Sequence, residues 1–107
     1  MNNWNGIGNL GNDPEIEYKE YTKDGEDKAF AVARFSIAVK EGKDKTYWIR
    51  MEAYGKTAEI IAEYVKKGHK IGITGKLKVD QWEKDGQKKS KMVVVVENFD
   101  FLMPKED

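Results

Sequence analysis

The sequence predicts a mainly β protein, a five-stranded Greek-key barrel with one α-helix between its third and fourth strands. Along most of the chain, apolar residues alternate with polar ones, as they do in strands that bury one face. Only residues 55–67 carry apolar residues at helical spacing instead. With 107 residues, the chain has room for one domain with a hydrophobic core.

The first two strands are separated by a polar loop. The first begins in the Gly- and Asn-rich segment 4–10 and, after a turn, continues as an exposed strand at 15–18. The second spans 29–39, where small or apolar residues, beginning with Ala29, occupy alternate positions. Small inward side chains suit the tight interior of a small barrel.

The third strand, residues 46–54, has two chemically different sides. Successive side chains of a strand point in opposite directions, so odd and even positions separate. Four apolar residues share the side predicted to face the core: Tyr47, Ile49, Met51 and Ala53. The other side carries two aromatic rings and a guanidinium that folding does not need: Trp48, Tyr54 and Arg50.

The helix is predicted over residues 55–67 because Ile60, Ile61 and Tyr64 fall on one helical face, and Gly68 suits the position after its end. From residue 70 the period returns to two. The alternating apolar residues of this fourth strand are predicted to face the core: Ile71, Ile73, Leu77 and Val79.

A turn around Gly86 leads into a last strand at 88–103. Its run of valines, 93–96, predicts burial on both sides, against the barrel and against a second subunit. The predicted order is therefore three strands, one helix and two strands. This is the order of the OB-fold, whose strand 2–3 face and strand 1–2 and 4–5 loops bind oligonucleotides or oligosaccharides.

Composition excludes several classes of function. The chain has no Cys and one His, which rules out disulfides, thiolate metal sites and cysteine nucleophiles. It shows no phosphate-binding glycine motif and no acid pair on an inward face, so we predict no enzyme activity, no metal and no cofactor. It has no signal-like N-terminus, and its longest apolar run, 92–96, is too short to span a bilayer, so we expect a cytoplasmic protein that does not bind membranes.

The formal net charge is zero, but the charges are segregated along the chain. Residues 66–92 contain nine lysines and three acids, a net charge of +6, and the remainder carries −6. A neutral protein with such a distribution can present a basic groove to nucleic acid. A long hairpin solubilised by lysines is the alternative interpretation of the same pattern.

The aromatic residues and the cations together predict the candidate site. Trp82 shares its side of the fourth strand with lysines, as Trp48 shares its side of the third with Arg50. Exposed rings among cations suit the stacking of unpaired bases and the binding of the backbone. The candidate phosphate-binding residues are Arg34, Lys43, Arg50, Lys76, Lys78 and Lys84.

Four blocks of sequence resemble the bacterial and phage single-stranded DNA-binding proteins of the OB type: residues 8–15, 31–38, 48–59 and 64–77. The resemblance implies sequence-independent binding of single-stranded DNA, with bases stacked on Trp48, Tyr54 and Trp82. It also implies a homotetramer, with a dimer left open, acting in replication, recombination and repair. Two alternatives stay open, an RNA-binding module and a protein-interaction subunit of a replication or primosome complex.

The chain departs from that family's pattern in three places. The loop 40–43 lacks a tryptophan found in many members, and the first strand is poor in the β-branched residues that pair subunits. We expect one domain over residues 1–104, followed by a short end at 105–107 without an acidic, phenylalanine-tipped tail. Protein partners recruited through such a tail are therefore not expected.

Overall fold

The computed structural model describes residues 1–102. Its elements are β1 (Trp4–Leu10), β2 (Glu15–Lys23), β3 (Glu26–Glu41), β4 (Lys45–Tyr54), α1 (Gly55–Tyr64), β5 (Lys70–Lys84) and β6 (Gln87–Phe101). The predicted mainly β fold with one helix before the last two strands is confirmed. The first predicted strand is divided, since Glu15–Lys23 is a separate strand, so the described chain has six strands. The predicted strand end at Met103, the domain boundary at 104 and the short end at 105–107 lie outside the described residues.

The strands form one sheet that closes on itself. Their order is β1-β5-β6-β4-β3-β2, and β1 also pairs with β3. β1 pairs with β5 along most of its length and with β3 only through Asn9 and Leu10. β4 and β6 meet as a short parallel pair, Met51 with Val94 and Glu52 with Val95. Closure produces a barrel, which leaves few free strand edges.

Most of the core lies on the predicted side of each strand where the strands enclose the barrel, but Val32, on the opposite side of β3, is also fully buried. Met51 and Ala53 are at most 1% exposed on β4, as the alternation predicted. The other strands, the helix and Val65 just after it contribute a larger set of buried apolar side chains: Leu10, Ala31, Ala33, Phe35, Ile37, Ala58, Ile61, Val65, Ile71, Ile73, Val94 and Val96. Three of the four consecutive valines are buried, and Val95 is half-buried.

Two glycines allow the backbones to approach closely where β1 and β5 meet their partners. A Cβ on Gly8 would lie 2.5 Å from the carbonyl oxygen of Ala38, and one on Gly75 would lie 2.2 Å from that of Val95. The β5–β6 register shifts between Thr74 and Gly75, which marks a bulge. Glycine in a strand is typical of such bulges and close contacts.

Three residues predicted to face the core are exposed instead. Tyr47 is 46% exposed, Val79 is 54% exposed, and Ala29 is also exposed. Each lies where its strand pairs with one neighbour only, in the β3–β4, β5–β6 and β2–β3 hairpins respectively. The alternation continues there, but no second layer covers the apolar side.

The helix is shorter than predicted and ends at Tyr64 rather than at residue 67. Val65 is extended, with φ −110° and ψ 128°, so Gly68 does not follow the helix end directly. The next two backbone N–H groups bind side chains, that of Lys66 to His69 Nδ1 at 2.9 Å and that of Lys67 to the Asp13 carboxylate at 2.8 Å. In residues 1–102 no helix has the length and apolar character needed to cross a bilayer.

Candidate nucleic-acid interface

Strand register joins the candidate residues of four strands into one surface. Residues directly opposite in neighbouring strands lie on the same side of a sheet. Arg34 lies opposite Glu52, Glu52 opposite Val95, and Val95 opposite Lys76. With their alternate neighbours these residues define what we call the outer face: Arg34 and Ser36 of β3; Trp48, Arg50, Glu52 and Tyr54 of β4; Lys91, Val93 and Val95 of β6; and Lys76, Lys78, Asp80 and Trp82 of β5.

The three predicted stacking residues are on the outer face and in contact with solvent. Trp48 is 61% exposed, Trp82 42% and Tyr54 38%. The indole of Trp48 lies over Gly11, where a Cβ would come within 2.3 Å of the ring. The ammonium of Lys91 lies 5.8 Å from the ring centroid of Trp82. The exposure satisfies a requirement of base stacking, and base binding at these residues stays a prediction.

Tyr54 is the most strongly positioned of the three rings. Its hydroxyl donates a hydrogen bond to Glu52 Oε2, and Lys78 Nζ donates one to the same hydroxyl at 3.1 Å. Its ring packs against Phe30, with centroids 6.4 Å apart, and Phe30 packs against Tyr21 at 5.8 Å. These contacts position Tyr54 through both its hydroxyl and its ring.

In the described part of the chain, four of the predicted phosphate-binding residues have no close acidic partner. Arg50 is exposed and, with Trp48, borders a groove between β4 and β6. Lys43 and Lys84 are exposed in or beside turns, and within residues 1–102 no acidic side chain pairs with them. Lys76 lies 3.8 Å from Glu97 in an exposed, loose ion pair.

The other two cations are held by acids. Glu52 is only 5% exposed, although it lies on the outer face between Arg50 and Tyr54. Lys78 Nζ is 2.7 Å from Glu52 Oε2, and Arg34 Nε is 3.6 Å from Glu52 Oε1. Arg34 also pairs with Glu17, and Lys78 lies 3.4 Å from Asp80. Phosphate binding by Arg34 and Lys78 stays a prediction, and in this structure each already has two acidic partners.

The pKa values of this cluster reflect the pairing. Burial by itself raises the pKa of Glu52, but hydrogen bonds from Lys78 and Tyr54 and the charges of Lys78 and Arg34 outweigh it, so the pKa of Glu52 lies below its usual value. The hydrogen bond to Glu52 raises the pKa of Lys78. Burial and the hydrogen bond to Glu52 raise the pKa of Tyr54. At neutral pH the ionised carboxylate therefore stabilises the folded protein.

We expect acid to remove that stabilisation. A carboxyl whose pKa is lower in the folded state contributes stability that is complete above its unfolded value, about 4.3, and is lost as pH falls through its folded value. Glu52→Gln lacks this titration. Urea unfolding of both proteins at pH 7 and at pH 3 should show the wild type more stable at pH 7 and a clearly smaller difference at pH 3. If the wild type and Glu52→Gln differ in unfolding free energy by the same amount at both pH values, the pKa of Glu52 is not lowered by folding.

Glu52 is the residue of this site that the sequence did not reveal. Its position in the alternation placed it correctly on the same side as Arg50 and Tyr54, but nothing nearby in the chain indicated burial. Its cationic partners come from β3 and β5, at Arg34 and Lys78. The only available signal was an acidic residue at the centre of a face that otherwise carries cations and aromatic rings. Within residues 1–102, no group of three or more His, Asp or Glu side chains is arranged to hold a metal ion.

The closed barrel and its outer face define a class, the OB-type proteins, which bind oligomers on this face and its flanking loops. Here the equivalent strands are β3 and β4 and the equivalent loops are the β2–β3 and β5–β6 hairpins. The chain belongs to the single-strand binding protein family, whose model matches residues 1–102.

Relatives of the chain carry the same description. It is 41% identical over 107 residues to single-stranded DNA-binding protein 1 of Synechocystis sp., an alignment that covers 94% of this chain and 83% of the relative. It is 37% identical over 105 residues to the single-stranded DNA-binding protein of Thermosynechococcus vestitus, covering 94% and 82% respectively. It is 37% identical over 99 residues to that of Clostridium perfringens, covering 90% and 62%.

Proposed function

We propose that this protein binds single-stranded DNA without sequence preference. The observation that carries the proposal is the outer face itself, where Trp48, Tyr54 and Trp82 are exposed on one continuous surface together with cations. Each base has a π-face, so stacking on these rings does not depend on sequence. The names of the relatives support single-stranded DNA as the polymer.

Arg50, Lys43, Lys76 and Lys84 bind phosphates in this proposal. Arg50 lies two residues from Trp48 on the same side of β4. Lys76 and Lys78 lie on the same side of β5 as Trp82, so each of the two strands carries both a ring and a cation on the outer face. Lys84, at the end of the β5–β6 hairpin, extends the same surface past Trp82. Arg34 and Lys78 belong to this surface too, but a phosphate must compete with Glu17, Glu52 or Asp80 for them.

We further propose that the protein forms a homo-oligomer, a tetramer or a dimer, and protects single strands in the cytoplasm during replication, recombination and repair. Two exposed apolar patches support subunit contacts. Ile7, 54% exposed, lies with Leu102 over Gly72, and Tyr64, 56% exposed, contacts Phe101, 41% exposed. Contiguous exposed apolar surface is typical of protein–protein contacts. The absence of a catalytic constellation in the sequence supports a binding role rather than an enzymatic one.

Titration with oligo-dT tests the proposal. Bases that stack on Trp48 and Trp82 should quench tryptophan fluorescence, and the logarithm of the binding constant should fall linearly with the logarithm of salt concentration, by about 0.7 for each phosphate neutralised. Titrations in at least four salt concentrations give the slope. No quenching at any salt concentration, with a folded protein, would exclude nucleic-acid binding as the main role.

Competition separates the two polymers. The complex with labelled oligo-dT is challenged with unlabelled oligo-dU and with oligo-U of the same length, neither of which pairs with oligo-dT. The proposal predicts displacement by the DNA at lower concentration than by the RNA. Preferential displacement by RNA would favour the alternative, an RNA-binding module, because the same rings stack on either polymer.

A further inference from the structure

The position of Glu52 is unusual for a surface that binds a polyanion. Its carboxylate lies at the centre of the outer face, directly opposite Arg34 and Val95 and two residues from Tyr54. A buried carboxylate requires partners that offset the loss of hydration. The protein supplies them from three other groups: the ammonium of Lys78, the guanidinium of Arg34 and the hydroxyl of Tyr54.

Lys78 stands where a nucleotide on Tyr54 would need a cation. Its ammonium is 3.1 Å from the Tyr54 hydroxyl and 5.8 Å from the centroid of the ring. A base stacked on that ring therefore brings its phosphate near this ammonium. However, the ammonium already has Glu52 at 2.7 Å and Asp80 at 3.4 Å, so its charge is neutralised within the protein.

We propose that Glu52 limits the number of phosphates that the outer face neutralises, by keeping Lys78 paired with a protein carboxylate while it holds Tyr54 in place. The inference rests on the proposed function, since it concerns the same face and the same polymer. A lysine that keeps its carboxylate partner does not neutralise a phosphate, so it releases no counterion from the strand. Lys76, whose Glu97 partner is exposed and 3.8 Å away, contributes instead.

Replacing Glu52 by glutamine tests the proposal. Glutamine has the same shape and keeps an oxygen that can accept the Tyr54 hydrogen bond, but it carries no charge. Lys78 then keeps only its longer pair with Asp80, which a phosphate can displace as it displaces Glu97 from Lys76. The oligo-dT salt slope of Glu52→Gln should therefore be steeper than that of the wild type by about 0.7, which corresponds to one additional phosphate. Its affinity should be several-fold higher at low salt, and the advantage should shrink as the salt concentration rises.

The double variant Glu52→Gln/Lys78→Gln identifies the cation. Its slope should lose the increment gained by Glu52→Gln, because the ammonium that glutamine releases is then absent. The matched control is Glu63→Gln, which makes the same charge change on an exposed residue of α1 and should leave the wild-type slope unchanged. If Glu63→Gln steepens the slope as much as Glu52→Gln does, net charge explains the effect and the proposal is wrong.

A second comparison covers the case in which Glu52→Gln does not fold. Lys76→Gln should reduce the wild-type slope by about 0.7, and Lys78→Gln should reduce it by less. Equal reductions by the two lysine variants would overturn the proposal. Failure of this inference is distinguishable from failure of the proposed function. Only the absence of wild-type quenching by oligo-dT would contradict the proposed function, whatever the slopes of the variants are.

Discussion

Replacing Trp48 and Trp82 together by alanine is expected to weaken oligo-dT binding by about 2–6 kcal/mol, because base–aromatic stacking contributes about 1–3 kcal/mol per base. At about 1.4 kcal/mol for each tenfold change, this corresponds to roughly 30-fold to 10⁴-fold. Both rings are more than 40% exposed, so their loss removes little core packing. The double variant keeps Trp4 as its one tryptophan, so binding is measured by the anisotropy of a labelled oligonucleotide.

The adjacent residue Tyr47 provides a matched control. It is an aromatic residue of the same strand, 46% exposed, but it lies on the opposite side from Trp48. Tyr47→Ala should change oligo-dT affinity by less than about threefold. A double variant that unfolds would show that the two indoles belong to the core. A folded double variant with wild-type affinity would show that the outer face is not where bases bind.

The largest expected effect on stability is that of Ile61→Ala, at about 2–5 kcal/mol, the usual cost of truncating a fully buried isoleucine. Ile61 is 0% exposed and belongs to the core cluster, where α1 packs mainly against β3. Urea unfolding at pH 7 measures the loss. The stacking rings are on other elements, so the folded fraction of the variant should keep its affinity for oligo-dT.

The neighbouring residue Ile60 is the matched control for that loss. It has the same side chain in the same helix but is only half-buried. Ile60→Ala should therefore destabilise the protein clearly less than Ile61→Ala does. Equal losses would mean that the cost reflects helix formation rather than burial in the barrel.

The candidate site could be predicted from the sequence because it depends mostly on the alternation of side chains along single strands. A strand turns each side chain by half a revolution, so Trp48 and Arg50 share a side wherever β4 lies. Trp82 could be placed among lysines for the same reason. Alternation alone could not show that the residues around Trp48 on β4 and those around Trp82 on β5 lie on one continuous face. That followed from the strand register across β6, in which Glu52 lies opposite Val95 and Val95 opposite Lys76.

Local alternation failed wherever burial depended on a distant element. The side chains of Ala29, Tyr47 and Val79 lie on the predicted side of their strands. Each, however, is in a two-stranded hairpin, and no other element of the described chain packs on that side. The helix ends at Tyr64, and beyond it the backbone N–H of Lys67 binds the carboxylate of Asp13, which is far away in sequence. Neither the uncovered hairpins nor the Asp13 partner of Lys67 has a signal within a few residues.

The order of strands, the side on which each ring lies, the apolar stripe of α1 and the resemblance to a family all follow from residues close together in the chain. Tertiary structure decided which apolar sides are covered and, above all, that Glu52 is buried. The physical reason is range: alternation relates residues two apart, whereas the charges that allow a carboxylate to be buried come from Arg34 on one strand and Lys78 on another.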